Sequence, residues 1–116
     1  MLSENAEAAR RRKPQLPFRG VRRVVVKLGS ATVTDPVKGL RRSTIRALAE
    51  QISSYWGQAG VSFVVVTSGA IAAGRKKLGM TQRPRTVALK QAAAAVGQTT
   101  LMRAYERAFE RHGRHV

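Results

Sequence analysis

Two runs of β-branched residues dominate the hydrophobic pattern of this chain. The first, residues 24–26, leads into Lys27 and a Gly–Ser pair, and the second, residues 61–67, leads into a Ser–Gly–Ala turn. Largely apolar runs without regular polar alternation are typical of parallel strands that are buried on both faces. The pattern predicts strands over about residues 21–28 and 61–67, and therefore an α/β fold.

A helical period separates the two predicted strands. Ser43 fits an N-cap, and behind it apolar residues recur at intervals of three and four: Ile45, Leu48, Ala49, Ile52, Tyr55 and Trp56. This spacing predicts an amphipathic helix of about 13 residues that ends near Gly57 or Gly60. Such a crossover makes the two strands parallel and places their carboxyl ends at the same edge of one sheet.

The remaining segments have weaker patterns. Residues 29–42 predict a loop without a regular element, because they contain Asp–Pro and a glycine. After the Ser–Gly turn we predict a short helix over about 70–79, an alanine-rich helix over about 86–97 and a last helix over about 99–111. The last helix carries an apolar stripe and an arginine stripe, the latter formed by Arg103, Arg107 and Arg111. His115 and Val116 suit the start of a third strand.

The first 20 residues differ in composition from the rest. They mix charged residues with Pro14, Pro17 and Gly20 and show no periodicity, so we expect a disordered basic leader over 1–20 and one domain over 21–116. The chain has no apolar run long enough to span a membrane, and we expect no secretory signal, because no apolar segment follows the charged N-terminal residues. It has no cysteine, which fits a cytoplasmic protein.

The formal net charge of +16 is the most unusual bulk property. A charge of this size favours anionic partners, whether nucleic acid, acidic membranes or phosphorylated small molecules. A basic nucleic-acid-binding protein is therefore one interpretation of the chain, with the arginine stripe as its contact surface. That interpretation leaves the two strand-end loops unexplained.

The strand-end loops have the composition of an anion site. Lys27 supplies a positive charge, and Gly29 and Ser30 supply backbone donors beside a strand end, where ligands of open α/β sheets bind. Ser68 follows the second strand, and the helix N-terminus after it also favours an anion. The spacing Gly69–Gly74 is followed by Arg–Lys instead of Lys–Ser or Lys–Thr, which excludes a Walker phosphate loop. The carboxylates and histidines are not spaced for a metal site.

Three segments together resemble a known family. Residues 24–30, 65–74 and 90–98 closely resemble the glutamate 5-kinase branch of the amino acid kinase family. The resemblance covers about residues 22–116 and implies the N-terminal part of a three-layer αβα sandwich. It implies transfer of the γ-phosphoryl group of ATP to the side-chain carboxylate of L-glutamate, the first step of proline biosynthesis, with Mg²⁺ carried on the nucleotide.

The resemblance also implies roles for single residues. Lys27 would be the catalytic lysine that contacts the phosphates, and Gly29 and Ser30 would donate to phosphate oxygens. Ser68, Gly69 and Ala70 would hold glutamate. No residue would bind a metal, the small-molecule partners would be L-glutamate and ATP, and full-length members would be cytoplasmic homo-oligomers.

The chain departs from the family in length. The Asp and Asn that complete the glutamate pocket, a second lysine and the adenine-binding segment are expected beyond Val116. We therefore expect no kinase activity from these 116 residues alone, and marginal folding or self-association. Another amino acid kinase, acting on acetylglutamate or aspartate, remains an alternative, because substrate choice rests partly on those further residues.

Overall fold

The computed structural model describes residues 19–57 and 60–116. The predicted leader lies outside these residues, except for its last two positions. The described elements, in chain order, are β1 (Arg23–Leu28), α1 (Ser30–Val33), β2 (Thr34–Asp35), β3 (Gly39–Leu40), α2 (Arg42–Tyr55), β4 (Ser62–Thr67), α3 (Ala70–Lys77) and α4 (Val87–Glu110).

The central sheet consists of β1 and β4. The two strands are parallel, and their register runs from Arg23 opposite Ser62 to Leu28 opposite Thr67. Helix α2 lies between them in sequence and provides the crossover that parallel neighbours require. The predicted parallel α/β arrangement is confirmed.

The core lies on one face of this sheet. Inward-facing residues of both strands, including Val26 and Val65, pack against buried residues of α2 and α4. On the other face Val25 is 62% exposed, Val64 41% and Val66 46%. The prediction that both faces are buried is wrong for this structure, because no element in residues 19–57 or 60–116 packs on the second face.

Helix α2 matches its predicted apolar face but not its predicted start. Ile45, Ala49 and Ile52 are buried in the core, as the spacing predicted. The helix begins at Arg42, and its N-cap is Arg41 without a side-chain capping bond, so the prediction that Ser43 is the N-cap is wrong. The Arg41 guanidinium Nε instead donates to the Thr34 carbonyl at 2.9 Å, which joins the helix start to β2.

Residues 29–42 are more regular than predicted. They form the single-turn helix α1 and a small antiparallel hairpin of β2 and β3. The Asp35 carboxylate closes the hairpin turn by accepting the backbone N–H groups of Val37 at 2.9 Å and Lys38 at 2.8 Å. These bonds lower the pKa of Asp35 below its ordinary value. Asp–Pro therefore indicated a turn correctly, but the short strands on either side gave no periodic signal.

The two helices predicted over residues 86–97 and 99–111 form one continuous helix. Helix α4 runs continuously over 24 residues, and Thr86 caps its start by accepting the Leu89 N–H at 3.3 Å. Gly97 does not break it, because this glycine lies where α4 packs closely against α3. A Cβ atom at Gly97 would overlap the Ala70 carbonyl, and a Cβ at Gly74 would overlap the Ala93 carbonyl. Small residues thus allow α3 and α4 to approach closely, and the predicted break near residue 98 is wrong.

The chain ends beside the core. Trp56, at the end of α2, packs edge-to-face on Phe109 with ring centroids 6.2 Å apart, which agrees with its predicted core role. His115 and Val116 do not form the predicted third strand. Within the described residues, no helix is both long and apolar enough to cross a membrane.

Candidate phosphate-binding site

The loops that follow β1 and β4 meet at one edge of the sheet. The Ser68 backbone N–H donates to the Leu28 carbonyl at 2.9 Å, which continues the strand pairing one residue beyond β4. The side chains also meet, because the hydroxyl oxygens of Ser30 and Ser68 are 2.9 Å apart and share a hydrogen bond. The predicted meeting of the two strand ends is therefore found.

Lys27 lies at the same edge. It is the penultimate residue of β1, pairs with Val66 of β4, and has an exposed side chain. Ser68 is two residues beyond Val66, so the ammonium-bearing residue and the hydroxyl turn lie on the same margin of the sheet. One exposed cation and two exposed hydroxyl groups therefore lie near the carboxyl ends of the two strands, the side of parallel sheets where ligands bind.

Gly69 is required by the fold. Its φ of 112° is in the region that favours glycine, and it is the N-cap of α3. A Cβ at this position would lie 3.0 Å from Thr34 Cγ2 and 3.1 Å from Val33 Cγ2, so the turn packs directly under the α1–β2 segment. No side-chain cap bond starts α3. The Ser68 side chain therefore does not cap α3.

Gly29 differs from Gly69, because neither its backbone conformation nor its packing requires a glycine. Its φ of −77° suits any residue, and a Cβ would meet no atom within 4 Å. The backbone here borders open space beside the Ser30–Ser68 pair. This is the geometry that a ligand needs for close approach to backbone donors.

A buried tyrosine in α4, Tyr105, is linked to the Ser68 turn through the Thr67 hydroxyl. The Thr67 hydroxyl donates to the Ser68 carbonyl at 3.0 Å, and it therefore accepts from the Tyr105 hydroxyl, 2.8 Å away. Tyr105 lies in the core at 5% exposure, and burial raises its pKa. The sequence pattern identified Tyr105 only as part of the apolar stripe. No local signal reveals its polar contact, because the two partners are 38 residues apart.

The described residues offer no dedicated metal centre. Residues 19–57 and 60–116 contain no group of three side chains of the His, Cys, Asp or Glu type that is arranged to hold a metal ion. The chemistry available at the edge itself is that of a cation, two hydroxyls, backbone N–H groups and the N-terminus of α3.

Comparison with known proteins identifies the family. The sequence profile of the amino acid kinase family matches residues 22–116. The chain belongs to the amino acid kinase family. The predicted family is thus confirmed, and the α/β structure with parallel strands is consistent with the family's αβα fold.

Curated relatives agree with the predicted branch of that family. A protein named glutamate 5-kinase from Pelobacter propionicus is 52% identical over 99 residues, which cover 85% of this chain and 26% of the relative. Proteins of the same name from Geobacter sp. strain M21 and Pseudomonas fluorescens are 54% and 48% identical, over 77% and 84% of this chain and 24% and 26% of their own lengths. The chain thus spans about a quarter of the length of these relatives.

Proposed function

We propose that this chain forms the phosphate-contacting edge of a kinase that transfers the γ-phosphoryl group of ATP to the side-chain carboxylate of L-glutamate. One observation carries the proposal. The loop after Lys27 and the loop after β4 are joined by the Ser30–Ser68 hydrogen bond of 2.9 Å at a single sheet edge. Membership of a kinase family, and similarity to proteins named glutamate 5-kinase, support ATP as donor and glutamate as acceptor.

In the proposed reaction a glutamate carboxylate oxygen attacks the γ-phosphorus. A new oxygen–phosphorus bond forms, the bond from the γ-phosphorus to the β,γ-bridging oxygen breaks, and ADP leaves with that electron pair, so glutamyl 5-phosphate is the product. The reaction needs no covalent enzyme intermediate. Catalysis of phosphoryl transfer depends mainly on positioning the reactants and neutralising phosphate charge.

The β1 side of the edge is the proposed donor side. Lys27 would neutralise charge on the transferred group, because its side chain is exposed at the penultimate position of β1. The backbone at Gly29 and Ser30 would donate to phosphate oxygens in the open space beside Gly29. Mg²⁺, when bound on the nucleotide, would supply further charge neutralisation to the phosphates.

The β4 side is the proposed acceptor side. The turn formed by Ser68, Gly69 and Ala70 leads into α3, whose first N–H groups have no helical partner and favour a carboxylate. The Thr67–Tyr105 hydrogen bond holds this turn against the core. Because Ser68 also bonds Ser30, the proposed donor and acceptor groups are fixed relative to one another.

Binding of Mg·ATP by calorimetry tests the donor half of the proposal. We expect Lys27→Ala to weaken binding roughly ten- to hundredfold, because a hydrogen bond to a charged group contributes about 1.5–3 kcal/mol. Arg23→Ala is the matched control, since it removes a cation from the same strand at its far end and should change affinity less than about twofold.

Equal losses in the two variants would contradict the proposal and would indicate attraction by net charge alone. In that case salt-dependent binding to duplex DNA or RNA, with an affinity that falls steeply as salt rises, would support the nucleic-acid interpretation. For the acceptor half, Ser68→Ala should weaken L-glutamate binding and leave Mg·ATP affinity nearly unchanged.

Two further properties belong to the same proposal. The exposed valines on the outer face of the sheet support association of the kinase into homo-oligomers. Its small-molecule substrates support a cytoplasmic location. Sedimentation and cell fractionation test these two properties separately from the chemistry.

A further inference from the structure

A second basic region lies next to the proposed phosphate edge. The β2–β3 hairpin, α3 and residues 79–84 together line an open cavity of about 880 Å³, and Ser30 forms part of its wall. Its lining includes one carboxylate, Asp35, and five cationic side chains: Arg41, Arg75, Lys76, Arg83 and Lys90. The cavity, referred to below as the hairpin cavity, therefore has a marked positive charge.

The carboxylate in the hairpin cavity is already engaged. Asp35 accepts two backbone N–H groups of its own turn and lies 3.8 Å from the Arg41 guanidinium. Arg41 also donates to the Thr34 carbonyl. In the part of the chain that the structure describes, the other four cations have no ion-pair partner. Their positive charge is therefore available to an external anion.

Arg75 differs from the other three unpaired cations because one of its side-chain nitrogens is buried. It projects from α3, is half-buried, and has five N–H donors. Its only hydrogen bond in the described structure is a long one of 3.4 Å, from Nη2 to the Thr81 carbonyl. Its Nε is buried with no acceptor. A buried charged donor without an acceptor is costly, and an anion that accepts from the other N–H groups of this guanidinium would offset part of that cost.

We propose that the hairpin cavity binds a small oxyanion, a carboxylate or a phosphate, and that Arg75 is the residue that recognises it. A guanidinium presents paired N–H groups that fit the two oxygens of such a group. Lys76, Arg83 and Lys90 add a positive field around it. The volume is within the usual range for small-molecule sites, so a ligand the size of an amino acid enters with its hydration water.

The position of the cavity identifies two sources for this anion. One is the second carboxylate of the glutamate acceptor, because Ser30 lines the cavity and also bonds Ser68 of the proposed acceptor turn. This source rests on the proposed function. Arg75 lies on α3 about five residues, or about 7.5 Å, from Ala70 of the acceptor turn. Its guanidinium donates to the Thr81 carbonyl, so it lies on the side of the cavity that residues 79–84 form. The other source is a free phosphate group, which needs no kinase activity.

Calorimetric titration of the whole chain with inorganic phosphate and, separately, with L-glutamate tests the proposal. We expect saturable binding of at least one anion, weakened tenfold or more by Arg75→Gln and changed less than twofold by Arg103→Gln. The control removes an exposed arginine from α4 that does not line the cavity. Arg75→Lys, which retains the charge but loses the planar fork, should retain only part of the affinity.

The two anions distinguish the sources. Loss of glutamate binding alone in Arg75→Gln identifies the acceptor carboxylate, and loss of phosphate binding identifies an independent phosphate site. Phosphate binding that depends on Arg75 would stand even if Lys27→Ala and Ser68→Ala showed the proposed kinase function to be wrong.

The proposal would be overturned if neither anion bound, or if Arg75→Gln and Arg103→Gln weakened the binding of the anion equally. A measurement on the unaltered chain covers the case in which Arg75→Gln does not fold. The Arg75 Nε–H resonance should shift saturably with the anion that binds, and an unchanged resonance at saturation would also overturn the proposal.

Discussion

The close contact between α3 and α4 predicts the direction in which a glycine substitution changes the stability of the protein. Gly97 lies in the interior of α4, where replacement of glycine by alanine ordinarily stabilises a helix by about 1 kcal/mol. Here the new methyl group would lie 2.5 Å from the Gly74 nitrogen and 2.8 Å from the Ala70 carbonyl carbon, and it would overlap the Ala70 oxygen. We therefore expect Gly97→Ala to destabilise the protein.

The magnitude follows from the nature of the clash. All three obstructing atoms are backbone atoms, so no side-chain rotation relieves the overlap and the helices must separate by about 1 Å. A gap of that size removes a quarter to a half of the dispersion energy of each contact. Overpacking typically costs about 1–3 kcal/mol. We take the upper end of that range, about 3 kcal/mol, and subtract the gain of about 1 kcal/mol in helix propensity. We therefore expect the free energy of unfolding to fall by about 2 kcal/mol.

Urea denaturation followed by far-ultraviolet circular dichroism measures this loss. With a typical small-protein slope, the midpoint should fall by roughly 1 M. Gln98→Ala is the control, since it alters the adjacent exposed position of the same helix and should change stability by no more than about 0.5 kcal/mol. A Gly97→Ala variant as stable as the original chain, or more stable, would refute the inferred close packing.

Two further predictions concern the hydrogen bonds around the site. Tyr105→Phe should lower the free energy of unfolding by about 1 kcal/mol, because it removes the donor to the Thr67 hydroxyl; an unchanged urea midpoint would show that this bond does not support the turn. The hydrogen bonds from Lys38 and Val37 lower the pKa of Asp35 in the folded protein below its ordinary 3.8. The ionised carboxylate therefore stabilises the fold at any pH above 3.8, and this stabilisation is lost as the pH falls through the lowered pKa of the folded state. The Val37 and Lys38 amide shifts in an acid titration should report a midpoint below 3.8, and a midpoint above it would count against the turn geometry.

The sequence identified the parts of the fold that local pattern specifies. Two apolar β-branched runs and a period of three and four between them were enough to place β1, α2 and β4 and to make the strands parallel. The pairing of their carboxyl ends then followed from topology. These features depend on residues close together in the chain, so periodicity reveals them.

The errors arose where tertiary contacts override local preference. Two helices were predicted with a break next to Gly97, yet α4 continues through this residue and its contact with α3 requires the absence of a side chain there. The outer valines of the sheet were predicted to be buried because the apolar run implies burial on both faces. In the described structure helices pack on only one of those faces.

The candidate site was only partly visible in sequence. Lys27, Gly29, Ser30 and the Ser68 turn followed from strand-end chemistry, and the structure brings the two loops together. Tyr105 and Arg75 could not be found in this way. Their significance depends on a hydrogen bond across 38 residues and on a cavity wall contributed by separate elements.

The central claim is that the two strand-end loops bind two substrates side by side at one edge of the sheet, and chemical-shift mapping with Mg·ATP and, separately, with L-glutamate tests it most directly. We expect Mg·ATP to shift the backbone amides at residues 29–31 and L-glutamate to shift those at residues 68–70, and we expect Lys27→Ala to weaken the response to Mg·ATP. Shifts confined to the exposed arginines of α4 for both ligands, or no response at residues 29–31 to Mg·ATP, would contradict the claim.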